Sequence, residues 1–105
     1  MSGITTHVLD TARGRPASGV PVRLEFRDGS QWREIGRGTT DDDGRLRTLT
    51  GPSIEAGTYR ITFDTSARSE FFPEVAIVFE VKDAQQHYHV PLLLSPFGYS
   101  TYRGS

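Results

Sequence analysis

The chain has 105 residues, enough for one domain that spans residues 1–105. It contains no cysteine, so disulfide bonds, cysteine-ligated metal sites and thiol nucleophiles are excluded. The formal net charge is −1 and the basic residues form no cluster that could follow a phosphate backbone, so we expect no nucleic-acid partner.

The N-terminal segment gives the first expectations in chain order. Residues 1–7 have neither the basic nor the apolar region of a secretory signal. No apolar run approaches the ~20 residues that a membrane-spanning helix needs. We therefore expect a cytoplasmic protein without a membrane partner. The first predicted strand, residues 4–9, places His7 on the face opposite Ile4 and Val8, which is the outer face.

Alternation of apolar and polar residues with a period of two runs through the chain and predicts half-buried strands. The predicted strands are residues 4–9, 20–26, 32–40, 45–49, 58–64, 75–81 and 86–94. Gly, Pro and Asp-Gly turn signals separate them, and this spacing indicates an all-β sandwich or barrel of seven or eight strands. Only residues 65–71 could form one short helix, which Pro73 would end.

Three aspartates at 41–43 followed by Gly44 resemble the centre of a calcium-binding loop. Aligned on that glycine, an EF-hand would place Thr39 and Thr50 at ligand positions that need carboxylates. The sequence also predicts no flanking helices. We therefore interpret the segment as an Asp-Gly hairpin turn and expect no metal site there.

His87 and His89 are the main candidates for chemistry. They lie two residues apart in a predicted strand, so both point to the face opposite the apolar set that begins with Tyr88. An outer face with two histidines, a proline and a leucine favours a subunit interface. The spacing leaves three alternatives open: ordinary surface histidines, a zinc pair completed by His7 or a carboxylate, or catalysis.

The last residues are polar and aromatic up to Ser105, which predicts an ordered strand at the chain end rather than a loose terminus. This ending, Tyr102-Arg103-Gly104-Ser105, resembles that of the transthyretin-related 5-hydroxyisourate hydrolases. The resemblance covers essentially the whole chain. Its earlier blocks are His7-Val8-Leu9-Asp10, Gly14-Arg15-Pro16-Ala17, Asp43-Gly44-Arg45-Leu46, Gly57-Thr58-Tyr59 and Phe71-Phe72-Pro73-Glu74-Val75. One departure is the short segment 64–70, where the family has a longer stretch with a short helix.

The resemblance implies a transthyretin-like (prealbumin-like) β-sandwich that assembles as a homotetramer, a dimer of dimers with active sites at the subunit interface. It also implies an enzyme that needs no cofactor. The implied activity is hydrolysis of the small molecule 5-hydroxyisourate, in urate and purine catabolism, by ring opening to 2-oxo-4-hydroxy-4-carboxy-5-ureidoimidazoline. The implied catalytic residues are His7, Arg45, His89 and Ser105, with Tyr102 and Arg103 shaping the substrate site.

The residue types implied by the resemblance suit the hydrolysis of a ring. A histidine, whose unperturbed pKa is about 6.5, can act as general base and contribute roughly 10²–10⁴-fold to the rate. Arg45 can stabilise the oxyanion that forms at a ring carbonyl, although Arg47 on the same predicted face competes for this role. His87 either supports the site without touching the substrate or is only a neighbour of His89 in the strand. Ser105 lacks the surroundings of a nucleophilic serine, so we expect it to orient water or substrate.

Two functions from other classes remain as alternatives. A transthyretin-like carrier of small ligands would share the fold, but such carriers are secreted and lack both the His-Tyr-His pattern at 87–89 and the ending at 102–105. A non-catalytic interaction sandwich would not need three outward histidines. The named residues, and not the fold, favour the enzyme.

Overall fold

The computed structural model of the chain describes residues 3–105. Met1 and Ser2, part of the segment on which the expectation about a leader depends, lie outside these residues. The described chain contains no helix, and therefore none that is long and apolar enough to cross a membrane. Its nine strands are β1 (Gly3–Asp10), β2 (Arg15–Pro16), β3 (Pro21–Asp28), β4 (Gln31–Thr39), β5 (Arg45–Leu46), β6 (Gly57–Asp64), β7 (Glu74–Val81), β8 (His87–Ser95) and β9 (Gly98–Thr101).

The strands form two sheets that pack face to face. In the first sheet, β2, β1, β8 and β9 lie side by side in that order, and β5 also pairs with β1. In the second sheet the order is β4, β3, β6 and β7, and all neighbours are antiparallel. The parallel pairing of β1 with β8 brings the beginning of the chain beside its last long strand.

Alternate side chains of both sheets fill the space between them. Val8 and Leu92 of the first sheet, and Leu24, Ile61 and Phe63 of the second, are completely buried. Burial of such a side chain contributes roughly 1.5–3 kcal/mol to the free energy of folding. Most apolar strand residues are buried between the sheets in this way, although Val78 of β7 is exposed, and most of their polar neighbours lie on the outer faces. The predicted all-β sandwich is thereby confirmed.

The two-residue strands β2 and β5 differ from the predicted strands. β2 lies in a segment predicted as a turn, and the predicted strand 45–49 ends after Leu46. Leu49 leaves the ladder because its side chain turns into the core. The backbone there passes so close to Gly36 that a Cβ on that glycine would lie 1.9 Å from the Leu49 carbonyl oxygen.

Residues 65–71 form a single turn and no helix. The carbonyl oxygen of Thr65 accepts hydrogen bonds from the N–H groups of Arg68, at 3.0 Å, and Ser69, at 2.8 Å. The hydroxyl of Ser69 then donates to the carbonyl oxygen of Pro96, at 3.0 Å. Side-chain bonds to the backbone compete with helix continuation, so the segment is tied to the loop after β8 instead.

Candidate active site

The outer face of β1, β5 and β8 gathers three of the predicted catalytic residues, His7, Arg45 and His89. His7 of β1 is paired directly with Arg45 of β5. Two residues earlier on the same face of β1, Thr5 is paired with His89 of β8. Because each strand alternates its side chains between the two faces, these groups project to the same side of the sheet. Three distant parts of the sequence therefore meet on one surface.

The turn before β5 sets the position of Arg45. The Asp41 carboxylate accepts hydrogen bonds from the N–H groups of Asp43, at 2.9 Å, and Arg45, at 3.0 Å. Gly44 has a φ of 75°, and a Cβ there would lie 2.4 Å from the Val8 carbonyl oxygen. Only glycine fits this close approach. The segment is thus the predicted turn, docked on β1, and it holds Arg45 opposite His7.

The hydrogen bond of His7 determines which ring nitrogen carries a proton. Its Nε2 lies 2.8 Å from the backbone carbonyl oxygen of Asp43. A carbonyl oxygen can only accept, so Nε2 must carry a proton. In the neutral ring, Nδ1 is consequently the nitrogen that can take up a proton.

His89 lies in a recess of about 200 Å³. The lining residues are Thr5, Thr6, Arg45, Arg47, His87 and His89. The Thr5 hydroxyl lies between the two imidazoles of β8, 2.9 Å from His87 Nε2 and 2.8 Å from His89 Nδ1. Sequence analysis did not identify Thr5. The feature that could have identified Thr5 is its position two residues before His7, on the same face of the strand.

Burial lowers the pKa of His89 below its ordinary value, and the positive charge of Arg45 lowers it further, followed by smaller contributions from His7, His87 and Arg47. The ring is therefore neutral at physiological pH. Because the folded chain binds this proton less readily than the unfolded chain does, acidification through the ordinary value of about 6.5 disfavours the fold.

The chain end lies against His89. The Gly104 N–H donates to the His89 carbonyl oxygen at 2.8 Å, in register with the pairing of β8 with β9. A Cβ on Gly104 would lie 2.5 Å from Cδ2 of the His89 ring, so glycine is required for this contact. Ser105 follows directly and is exposed.

Tyr102 and Arg103 lie outside the histidine recess and line a separate recess of about 280 Å³. The Arg103 guanidinium lies 4.4 Å from the centre of the Tyr88 ring, which points to the core side of β8. Arg103 also donates to Oε1 of Gln86 at 2.9 Å. These contacts anchor the chain end to the start of β8.

Other parts of the described chain offer weaker candidates. A groove of about 780 Å³ runs over the outer face of the second sheet, but no histidine lines it. One of its two arginines, Arg37, is held by Glu34 through hydrogen bonds of 2.7 and 2.6 Å. Within residues 3–105, no three His, Cys, Asp or Glu side chains are grouped so that they could hold a metal ion.

Sequence comparison relates the chain to known proteins. The sequence model of the HIUase/Transthyretin family matches residues 4–104. A 5-hydroxyisourate hydrolase of Caulobacter vibrioides is 46% identical, and the match covers 100% of both chains. A uric acid degradation bifunctional protein of Arabidopsis thaliana is 49% identical over 97% of this chain, which spans 37% of that longer protein.

Two kinds of solved structure resemble the fold. Klebsiella pneumoniae 5-hydroxyisourate hydrolase matches with a TM-score of 0.86 and 35% identity, over 99% of this chain and 100% of that one. Transthyretin from Sparus aurata matches with a TM-score of 0.90 and 30% identity, over 99% of this chain and 97% of that one. The backbone alone therefore does not distinguish between them.

Proposed function

The chain belongs to the HIUase/Transthyretin family, and we propose that it hydrolyses 5-hydroxyisourate on the outer face of β1, β5 and β8. The observation that carries this proposal is the meeting of His7, Arg45 and His89 on one face, beside the chain end. The substrate assignment is supported by the 46% identity, over full length, to a protein named 5-hydroxyisourate hydrolase.

His7 is the general base of the proposed reaction. Water adds to a ring carbonyl carbon as the base removes one of its protons, the adjacent C–N bond breaks, and the released nitrogen takes up that proton from the base. The Nε2 proton of His7 is bound to the Asp43 carbonyl oxygen, so Nδ1 accepts the proton from the attacking water. A general base of this kind contributes roughly 10²–10⁴-fold to the rate.

Arg45 stabilises the negative charge that develops on the carbonyl oxygen. Its guanidinium offers a planar fork of donors, which suits the polar edge of a ring with a carbonyl group and a neighbouring nitrogen. Arg47 lines the same recess but is more exposed, while Arg45 is half-buried and directly paired with His7. We therefore assign the oxyanion role to Arg45 and a supporting electrostatic role to Arg47.

The chain end completes the proposed site. Ser105 orients water or substrate in this proposal, and the support for this role is the pairing of the preceding residue, Gly104, with His89. Tyr102 and Arg103 shape the site from outside the recess. The contacts of Arg103 with Tyr88 and Gln86 hold the backbone of the chain end in place.

Assembly into a homotetramer, a dimer of dimers, would cover this face and exclude bulk water from it. Support for contacts between subunits, at a place separate from the histidine recess, comes from large apolar side chains that are exposed near the chain end: Phe97 (67%), Tyr102 (59%) and Tyr99 (42%). Light scattering should give roughly four times the chain mass of 11.7 kDa. A fully active monomer would contradict this assembly.

The proposed location is the cytoplasm, and the absence of cysteine is compatible with its reducing conditions. Cell fractionation with an antibody against the untagged protein tests this. Recovery with cytoplasmic markers is expected, and recovery from the medium or the periplasm would contradict it.

The decisive experiment for the activity is a decay assay on freshly generated 5-hydroxyisourate, followed by ultraviolet absorbance. A catalyst accelerates the decay when the protein is present at far lower concentration than the substrate. A carrier of the transthyretin type would leave the rate unchanged, or slow the decay at equimolar concentration by sequestering the ligand. Absence of acceleration by the folded, assembled protein would overturn the proposed function.

A further inference from the structure

One hydroxyl group links the two histidines of β8. Thr5 Oγ1 lies within hydrogen-bond distance of both His87 Nε2 and His89 Nδ1. Thr5 is buried, and the parallel pairing of β1 with β8 places it directly opposite His89. A hydroxyl has a single proton, so it donates to one ring nitrogen and accepts from the other. The proton positions of the two neutral imidazoles are therefore coupled.

The other nitrogen of His87 decides between the two possible arrangements. Its Nδ1 is buried and has no hydrogen-bond partner within residues 3–105. A proton on Nδ1 would be a buried donor without an acceptor, which folded proteins avoid more strictly than a buried acceptor without a donor. Neutral His87 therefore carries its proton on Nε2 and donates it to Thr5. Thr5 in turn donates to Nδ1 of His89, which leaves the His89 proton on Nε2.

We propose that Thr5 and His87 are positioning residues that hold the proton of neutral His89 on Nε2, so that this ring acts toward the substrate as a hydrogen-bond donor. The inference rests on the proposed function only for its consequence in catalysis. The proton position itself is a property of the free protein.

The surroundings of His89 agree with a neutral donor. The charged and titratable groups that act on the ring are Arg45, Arg47, His7 and His87, and all of them disfavour a positive charge there. From the chain end, Gly104 packs against Cδ2, the ring carbon next to Nε2.

The two catalytic histidines then have opposite tasks. His7 has its proton bound to Asp43 and offers Nδ1 as a base. His89 has its Nδ1 bound to Thr5 and offers Nε2–H to the carbonyl oxygen, beside the Arg45 guanidinium. Donors already in place where negative charge develops lower the barrier without reorganisation. Thr5 would thus determine which histidine acts as base and which as donor.

Nitrogen-15 NMR of the ring nitrogens tests the proton position directly, because the two neutral tautomers have distinct chemical shifts. The sequence has three histidines, so the spectrum can be assigned with single variants. In the assembled wild-type protein above the pKa of His89, we expect the His89 proton on Nε2. A His89 ring with its proton on Nδ1 would overturn the inference, whatever the activity.

Thr5→Val removes the hydroxyl and keeps the shape of the side chain, and Thr5→Ser is the matched control that keeps the hydroxyl. We expect Thr5→Val to give a mixture of His89 tautomers and to lower kcat about tenfold with little change in KM, and Thr5→Ser to restore both properties. Unchanged His89 tautomer and kcat in Thr5→Val would overturn the inference.

A second pair of variants keeps the test informative if Thr5→Val does not fold. His87→Gln retains an amide donor toward Thr5, whereas His87→Leu has none. We expect His87→Gln to keep the His89 proton on Nε2 and His87→Leu to release it; equal effects of the two would overturn the inference. If the wild-type protein shows the expected tautomer but does not accelerate hydrolysis, the proposed function fails and the proton position stands.

Discussion

The outer faces of the two sheets both carry arginines, but the arginines have different neighbours on the two faces. On the second sheet, Arg37 of β4 donates two hydrogen bonds to Glu34, at 2.7 and 2.6 Å. On the first sheet, Arg45 and Arg47 form no ion pair within residues 3–105. They lie instead beside histidines, which carry no compensating negative charge.

Titration behaviour reflects this difference. On the second sheet, hydrogen bonds from arginine lower the pKa of a carboxylate: Arg37 does so for Glu34, and Arg60 for Glu25. On the first sheet, burial and nearby cations lower the pKa of His89. The exposed Arg37–Glu34 pair adds little to stability, because solvent screens its charges. The two arginines beside His89 form no such pair within the described chain, and a histidine whose pKa is lowered by burial and by nearby cations is typical of a functional site.

The largest effect that would separate the two faces is loss of a histidine of the first sheet. His7→Asn and His89→Asn should each lower kcat at least ~10²-fold, because a base or a donor is lost. The melting temperature should change little, since both side chains lie on the outer face. Steady-state rates and thermal unfolding measure the two quantities. His87→Asn should cost less, and if it is the most damaging of the three, the roles within the pair are reversed.

Arg45→Lys should lower kcat/KM by more than tenfold, which corresponds to about 1.4 kcal/mol. An ammonium group cannot reproduce the planar fork of the guanidinium. Arg47→Lys on the same face and Arg37→Lys on the opposite sheet are the matched controls, and both should retain most of the activity. A larger loss in Arg47→Lys would transfer the oxyanion role to that residue.

Gly104→Ala should lower the rate about tenfold without unfolding the sandwich. The added methyl group would lie 2.5 Å from the His89 ring, so either the ring or the chain end must move, and small displacements of reacting groups are costly. Gly51→Ala is the control, because a Cβ there meets nothing within 4 Å. Equal rates for the two variants would show that the contact of Gly104 with His89 has no part in catalysis.

The smallest effect concerns the titration of His89, followed by NMR. Its pKa should lie below about 6.5, and Arg45→Gln should raise it, because one of the charges that oppose protonation is removed. The rate that depends on neutral His89 should fall as the pH drops through this lowered pKa. In Arg45→Gln, that fall should begin at higher pH. A His89 pKa that does not respond to Arg45→Gln would contradict the electrostatic account of this face.

Local patterns in the sequence were sufficient to predict much of the face of β1, β5 and β8. The period of two placed His7, His87 and His89 on outer faces, and the Asp-Gly signal placed Arg45 at the start of a strand. In the structure, these residues lie on one face of the first sheet. Their assignment as catalytic groups is still a prediction that the rates above will test.

The contacts of Thr5 and Gly104 could not be predicted in this way. The bridge from Thr5 to His87 and His89 depends on the register of the parallel β1–β8 pair, for which no turn or local signal exists. Gly104 reaches His89 only because the chain folds back after Ser95. Arg103 was placed at the site by its motif, but its side chain turns to the other side of β8, toward Tyr88.

We propose that the face of β1, β5 and β8, and not the face of the second sheet, performs hydrolysis. The most direct test compares the decay of 5-hydroxyisourate in the presence of two double variants. The variant His7→Asn/Arg45→Gln lacks the imidazole and the guanidinium of the first sheet. The variant Glu34→Gln/Arg37→Gln lacks an ion pair of the second sheet. We expect the first variant to leave only the spontaneous decay, and the second to match the wild type. Retained activity in the first variant, or its loss in a folded second variant, would contradict the account.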